Sequence, residues 1–270
     1  MKQHLIAIDL DGTTLNNQSQ LSKQTVETLR QAAQEGHIVS IVTGRSYRIS
    51  GQFYDQLGLK SAMVNFNGAL AHVPHQHWKP EYQKSINREI ALDLLSHSSE
   101  LGIKTITAEN KMNLWANQQS DVMPDFLPAS ITKDEILNSI NLTSDPTALT
   151  LQYNPTEKQL LIHEITEKYG ADVDVRVWGG PYSILEVVSK GIQKARGVAY
   201  LAKQYNIDQQ NIIAFGDEDN DAEMLSFAGR GIAMQNAIPS IKQVANDITA
   251  DDNDHDGLAH YLSAYLKLAR

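Results

Sequence analysis

As a pattern of apolar and polar positions, the chain opens with a short continuous apolar run, Leu5 to Ile8, typical of a strand buried on both faces in a parallel sheet. Leu21 to Glu35 then places Leu21, Thr25, Leu29, Ala32 and Ala33 at helical spacing, with Ser22 as N-cap and Gly36 as stop. A second apolar run from His37 to Val42, a helix from Ser46 to Leu57 closed by Gly58, and a third run from Ala62 to Phe66 complete a right-handed βαβαβ unit. Each strand runs into a polar turn: Asp9-Leu10-Asp11-Gly12-Thr13-Thr14, Thr43-Gly44-Arg45 and Asn67-Gly68.

From His72 to Tyr82 the rhythm breaks. His72, His75 and His77 have the spacing of a metal set, but no Cys or carboxylate accompanies them and Pro74 and Pro80 irregularise the backbone, so a surface hairpin or linker is expected. Between Gln83 and Val187 short alternating runs (Ile103 to Thr107, Leu149 to Tyr153, Val173 to Val177, Ser183 to Val188) read as half-exposed antiparallel strands. Helical stretches separate them, at Ile86 to Leu101, Lys133 to Ile140 and Glu157 to Lys168.

The α/β rhythm then resumes. A helix from Gly191 to Gln204 carries Ile192, Ala195, Ala199 and Ala202 on one face, and the buried strand Ile212 to Phe215 runs into Gly216-Asp217-Glu218-Asp219-Asn220-Asp221. Helix Ala222 to Phe227, strand Gly231 to Met234, helix Pro239 to Ala245, a short strand Asp247 to Ala250, an acidic loop and a closing helix from Leu258 follow. The expected fold is α/β: a doubly wound, Rossmann-like parallel-sheet core from residues 1–82 and 188–270, with an inserted α+β domain from 83–187.

Composition narrows the function classes. A chain of 270 residues that is 41% hydrophobic can bury a large core, and a formal net charge of −9 without a Lys/Arg-rich run argues against a nucleic-acid partner. The sequence has no cysteine, so disulfides and thiol chemistry are excluded; no apolar run nears the ~18 residues of a membrane span. A cytoplasmic protein without a membrane partner is expected.

The chemistry sits in the turns. Side chains alternate along an extended chain, so Asp9 and Asp11 can face one crevice while Leu10 turns away and offers its backbone. The crevice beyond the carboxyl ends of the strands is where open α/β sheets bind ligands. Asp9, Asp11, Asp217 and Asp221, with no Cys or His in these motifs, suit a hard, oxygen-preferring ion, most simply Mg²⁺. The Thr43 hydroxyl, the Gly44 amide, Lys190 and helix N-termini suit a phosphate, so the inventory points to phosphoryl transfer. A second acidic loop, Asp252, Asp254, Asp256 and Gly257, starts like an EF-hand calcium loop, but Ser263 stands where a bidentate Glu should close it. A solvated loop that caps the last helix is expected instead.

These motifs, in this order, resemble those of the haloacid dehalogenase-like hydrolases: Asp9-Leu10-Asp11-Gly12-Thr13, Thr43-Gly44-Arg45, Lys190-Gly191 and Gly216 to Asp221. Val188-Ser189-Lys190-Gly191, Asn220 to Leu225, Ala233-Met234-Gln235-Asn236-Ala237 and Asp256-Gly257 resemble the Cof-type branch more narrowly, with Gln235 where a Gly commonly stands. The resemblance implies an Mg²⁺-dependent phosphatase of sugar phosphates or other small phosphometabolites, whose inserted cap domain selects the substrate. It assigns Asp9 as nucleophile and metal ligand, and Asp11 as metal ligand through its backbone carbonyl and as general acid and base. That acid role calls for a carboxyl pKa raised by enclosure. Asp217 completes the metal shell, and Asp221 ligates through water or orients that shell; Leu10, Thr43, Gly44, Lys190 and Asn220 bind the phosphoryl oxygens, with Arg45 and Asn67 at the mouth. A phosphomutase on the same chemistry, or a non-enzymatic Mg²⁺ or phosphate sensor, are the alternatives.

Overall fold

The structure, a computed structural model, describes residues 2–120, 122, 126–178 and 182–268. In chain order it contains β1 (Leu5–Ile8), α1 (Lys23–Gln34), β2 (Ile38–Ile41), α2 (Tyr47–Leu57), β3 (Met63–Asn65), β4 (Leu70–His72), β5 (Tyr82–Gln83) and α3 (Arg88–Ser96). Next come β6 (Ile103–Glu109), β7 (Leu114–Ala116), β8 (Ala148–Tyr153), α4 (Lys158–Tyr169), β9 (Val173–Val177) and β10 (Ile184–Ser189). The chain ends with α5 (Lys194–Gln204), β11 (Ile212–Gly216), α6 (Ala222–Phe227), β12 (Arg230–Ala233), α7 (Pro239–Val244), β13 (Asp247–Ile248) and α8 (Gly257–Leu266).

Two compact units result. One comprises Met1–Gly44, Ser50–Tyr82 and Gln193–Arg270; the other comprises Arg45–Ile49 and Gln83–Ile192. The first is built on a parallel five-stranded sheet in the order β13-β12-β11-β1-β2. β1 and β11 are buried throughout, as central strands of a sheet covered on both faces must be. α1 packs on α8 and α5 on α6. Ser22 caps α1 as its position predicts, its hydroxyl accepting from the Thr25 N–H at 3.0 Å. The fold is the α/β doubly wound core with an inserted α+β cap domain. Among the described residues no helix is long and apolar enough to cross a membrane.

The second unit has an antiparallel sheet, β7-β6-β8-β10-β9. Ile106, Ala108, Leu149, Leu151, Leu185 and Val187 point from it into one cluster with Ile90 and Leu94 of α3 and Leu161 and Ile165 of α4.

Local chemistry overrides the pattern in several places. β3 and β4 form an antiparallel hairpin that ends on His72, and His72 is fully buried rather than at the surface, its Nε2 3.0 Å from Asn65 Oδ1. Lys133 to Ile140 is not a helix beyond one turn, Lys133–Glu135. The Asn138 carboxamide accepts from the Ile140 and Asn141 N–H groups at 2.9 and 2.8 Å, and Asn141 donates back to the Lys133 and Ile136 carbonyls, so side chains take the bonds a helix would need. α3 starts at its Asn87 cap and stops at Ser96, short of Leu101. The three-residue β7 is too short for alternation to reveal. α5 begins at Lys194 rather than Gly191, and the chain re-enters the first unit at Gln193 rather than at residue 188.

Candidate active site

All the carboxylates that matter here stand at the carboxyl ends of β1 and β11, neighbours in the sheet. The Asp9 N–H donates to the Phe215 carbonyl at 3.2 Å, so the two strand ends are held level. Beyond Asp9 the chain makes a tight turn, closed by the Leu15 N–H donating to the Leu10 carbonyl at 2.8 Å and by the Thr14 hydroxyl donating to the Asp9 carbonyl. Gly12 sits there at φ +67°, and a Cβ on it would run into the Asp217 carboxylate, so glycine is required on both counts. Thr13 Oγ1 donates to Asp217 Oδ1 at 2.8 Å.

Asp221 ends the short helical turn Asp219–Asp221 that leads into α6 and is fully buried. Its Oδ2 accepts from the Asp217 and Glu218 N–H groups at 3.0 and 3.2 Å, which fixes the loop that carries Asp217. Between Asp9 and Asp221 lies Lys194, with no exposed surface: its Nζ is 2.6 Å from Asp9 Oδ1 and 2.8 Å from Asp221 Oδ1.

Burial pushes the Asp9 carboxyl well above the usual carboxylate range; the Lys194 ammonium opposes the rise, and the Asp221, Asp217 and Asp11 charges add to it. Burial, then the Asp221 charge, pushes Asp217 up to about 7 against the Thr13 hydrogen bond. Burial works against the Lys194 cation, yet Asp221 and Asp9 outweigh it and hold its pKa above the ordinary lysine value. Three buried carboxylates thus share one ammonium. Asp9, Asp217 and Asp221 each offer an oxygen within 4.8 Å of the others. This buried all-oxygen set, three carboxylates against one ammonium, fits a hard divalent cation.

Lys190 belongs to the other unit, where it is exposed with Nζ 2.7 Å from Asp174 Oδ1, and Gly191 follows it at φ +72° before α5 begins. Lys194 is the lysine of the site, and the sequence carried a signal for it. Lys194, Val198 and Leu201 recur at helical spacing and are all buried, so a lysine stands on the apolar stripe of α5. Ile192, Ala195 and Ala202 of the expected face are buried as well, Ala199 is only half-buried, and Gly197 packs against the Val64 side chain.

Thr43 and Gly44 lie at the end of β2 in the first unit, with Thr43 buried. Asn67, in the left-handed region at φ +53°, ties them to Asn220: its N–H donates to the Thr43 carbonyl at 3.1 Å and its Oδ1 accepts from Asn220 Nδ2 at 3.0 Å. A Cβ on Gly44 would come within 3.1 Å of Asn67 Nδ2. Leu10 is buried, whereas Asp11 is exposed. Arg45 belongs to the other unit, where its guanidinium lies 4.7 Å over the Phe126 ring. The second acidic loop spends its carboxylates on separate partners: Asp252 on the His255 N–H, Asp254 on the Asn17 N–H, and Asp256 on the Ser22 and Thr25 hydroxyls.

A family model described as haloacid dehalogenase-like hydrolase matches residues 6–262. The chain is 34% identical, over 99% of its length and 99% of the relative's, to the 5-amino-6-(5-phospho-D-ribitylamino)uracil phosphatase YitU of Bacillus subtilis. It is 28% identical to the phosphatase YwpJ of the same organism, over 97% of this chain and 99% of that one. A haloacid dehalogenase-like hydrolase from Bacteroides thetaiotaomicron shares the fold at a TM-score of 0.82 and 23% identity, covering 98% of this chain and 100% of the other.

Proposed function

This chain belongs to the haloacid dehalogenase-like hydrolases, in their Cof-type branch, and from that premise we propose that it is an Mg²⁺-dependent phosphatase that moves the phosphoryl group of a small phosphorylated metabolite onto Asp9 and then to water. The observation that carries the reading is the buried Asp9–Lys194–Asp221 chain beside Asp217 at the strand ends. A structural ion pair needs one carboxylate; here three converge where an α/β sheet binds ligands.

In this reading an Asp9 oxygen forms the new bond to phosphorus as the bond from phosphorus to the ester oxygen breaks, and Asp11 gives the departing oxygen its proton. Asp11, now a carboxylate, takes a proton from the water that attacks the aspartyl phosphate, which restores Asp9 and releases phosphate. Lys194 orients Asp9 and offsets charge that gathers on the phosphoryl oxygens. The Leu10 backbone, Thr43, Gly44 and Asn220 bind those oxygens; the lysine role passes from Lys190 to Lys194. Asp9, Asp217 and the Asp11 backbone carbonyl would hold Mg²⁺. Asp221, with one oxygen on Lys194 and the other on two backbone N–H groups, orients that shell. When bound, the ion supplies the positive charge that lets an anionic ester approach a carboxylate. The inserted unit selects the leaving group.

The test is a panel of phosphometabolites scored for free phosphate, headed by 5-amino-6-(5-phospho-D-ribitylamino)uracil because of the 34% identical relative, and including sugar phosphates. Release that stops in EDTA and returns with Mg²⁺ supports the reading. Full turnover without metal, or sugar isomers without free phosphate, sinks it.

A further inference from the structure

Resting on Asp9 and Asp11 as the reacting pair, we propose that Asn236 is a positioning residue: braced by Asn253, its carboxamide clamps the Asp11–Gly12 turn in the geometry that catalysis uses. Asn236 Nδ2 donates to the Gly12 carbonyl at 2.7 Å, and its Oδ1 accepts from the Asn253 N–H at 3.1 Å. Asn253 in turn donates through Nδ2 to the Leu15 carbonyl at 2.9 Å, so both sides of the catalytic turn are gripped by one pair of amides.

The loop that carries Asn236 is itself fixed. The Gln235 N–H donates to Thr249 Oγ1 at 2.8 Å, the Ala237 N–H to the Met234 carbonyl at 2.9 Å, and the Ile238 N–H to the Asp217 carbonyl at 3.1 Å. The clamp therefore references the Gly12 carbonyl to the residue that Gly12 packs against and to which Thr13 donates. Only a group that donates at one end and accepts at the other serves both partners. Asp presents acceptors to both, and Ala presents nothing. Asn236 is exposed, so its two bonds add little to global stability, and their effect is local.

The experiment compares Asn236→Ala, Asn236→Asp and Asn253→Ala with the wild type, using 4-nitrophenyl phosphate, melting temperatures, and hydrogen exchange of a peptide spanning residues 10–15. Asn236→Ala is expected to lower kcat by about 10- to 100-fold, the cost of misplacing a reacting group, with KM within about threefold. Exchange over residues 10–15 rises while the melting temperature holds. Asn236→Asp fails to rescue kcat, and Asn253→Ala, which keeps its backbone N–H, loses less. Unchanged exchange in Asn236→Ala, unchanged kcat, a change confined to KM, or wild-type turnover by Asn236→Asp each overturns the clamp. If the wild type hydrolyses no ester, the phosphatase reading falls instead, and the exchange data still decide whether Asn236 holds the turn.

Discussion

A lysine with no exposed surface is tolerated only because carboxylates on both sides repay its lost hydration. Replacing Lys194 by Met leaves Asp9 and Asp221 buried without their cation, a loss of about 3–5 kcal/mol that urea unfolding should register. Turnover should fall by at least about 10²-fold, the scale for one electrostatic partner of a reacting anion. Lys190→Ala is the control: an exposed pair with Asp174 is worth about 0–1 kcal/mol, and kcat should hold. Asp9 and Asp11 separate by kinetics. Asp9→Asn should trap no phosphoenzyme under acid quench. Asp11→Asn keeps the nucleophile, so rapid mixing with 4-nitrophenyl phosphate should give a burst of nitrophenolate followed by turnover slowed ~10²- to 10⁴-fold. Equal loss on alkyl and nitrophenyl esters without a burst would leave Asp11 a structural residue.

His37, just before β2, packs against His4 before β1. The His4 N–H donates to His37 Nδ1 at 3.1 Å, so the proton of a neutral His37 sits on Nε2, which is buried without a hydrogen-bond partner among the described residues. Burial lowers the pKa of His37 below 6.5, and Glu35 opposes the shift only in part; burial, then His37 and Lys2, lowers that of His4. The unfolded chain therefore takes up protons that the folded one refuses. Stability should be complete above the unfolded value of 6.5 and decline as pH falls through it toward the lowered folded values. His37→Gln should flatten the decline between pH 7.5 and 5.5 in thermal melts, and an unchanged slope would remove His37 as its source. The elements also show where pattern reading succeeds. β1, β9 and α6 end where apolar runs and turn residues predict. It fails where a few polar side chains redirect the backbone, as Asn138 and Asn141 do, or where a helix starts late and one lysine takes another's place. His72 was obscured by prolines that follow its strand rather than interrupt it.

At the scale of the molecule, the α/β core with an insertion was legible because each core strand announces itself twice, by an apolar run and by the polar turn after it. The insertion was legible only as a change of rhythm, and its three-residue edge strand β7 was not. Metal binding should be felt by the whole fold. Mg²⁺ at about a hundredfold its Kd should add about 2.7 kcal/mol, read as a raised melting temperature that Asp217→Asn abolishes. A shift that survives that change would place the ion elsewhere. The sheet order also has a consequence in time. Asp9 leaves the ribosome well before its strand's neighbour β11, since Asp217 lies 204 positions after its partner Thr13. Throughout that interval the nascent chain holds β1 with an unpaired edge, while most of the inserted unit, residues 83–192, is already complete and free to fold on its own contacts. The order of synthesis thus finishes the insertion before the core can close, and leaves the growing polypeptide inert, with an open strand for chaperones to guard, until β11 and Asp217 have been made.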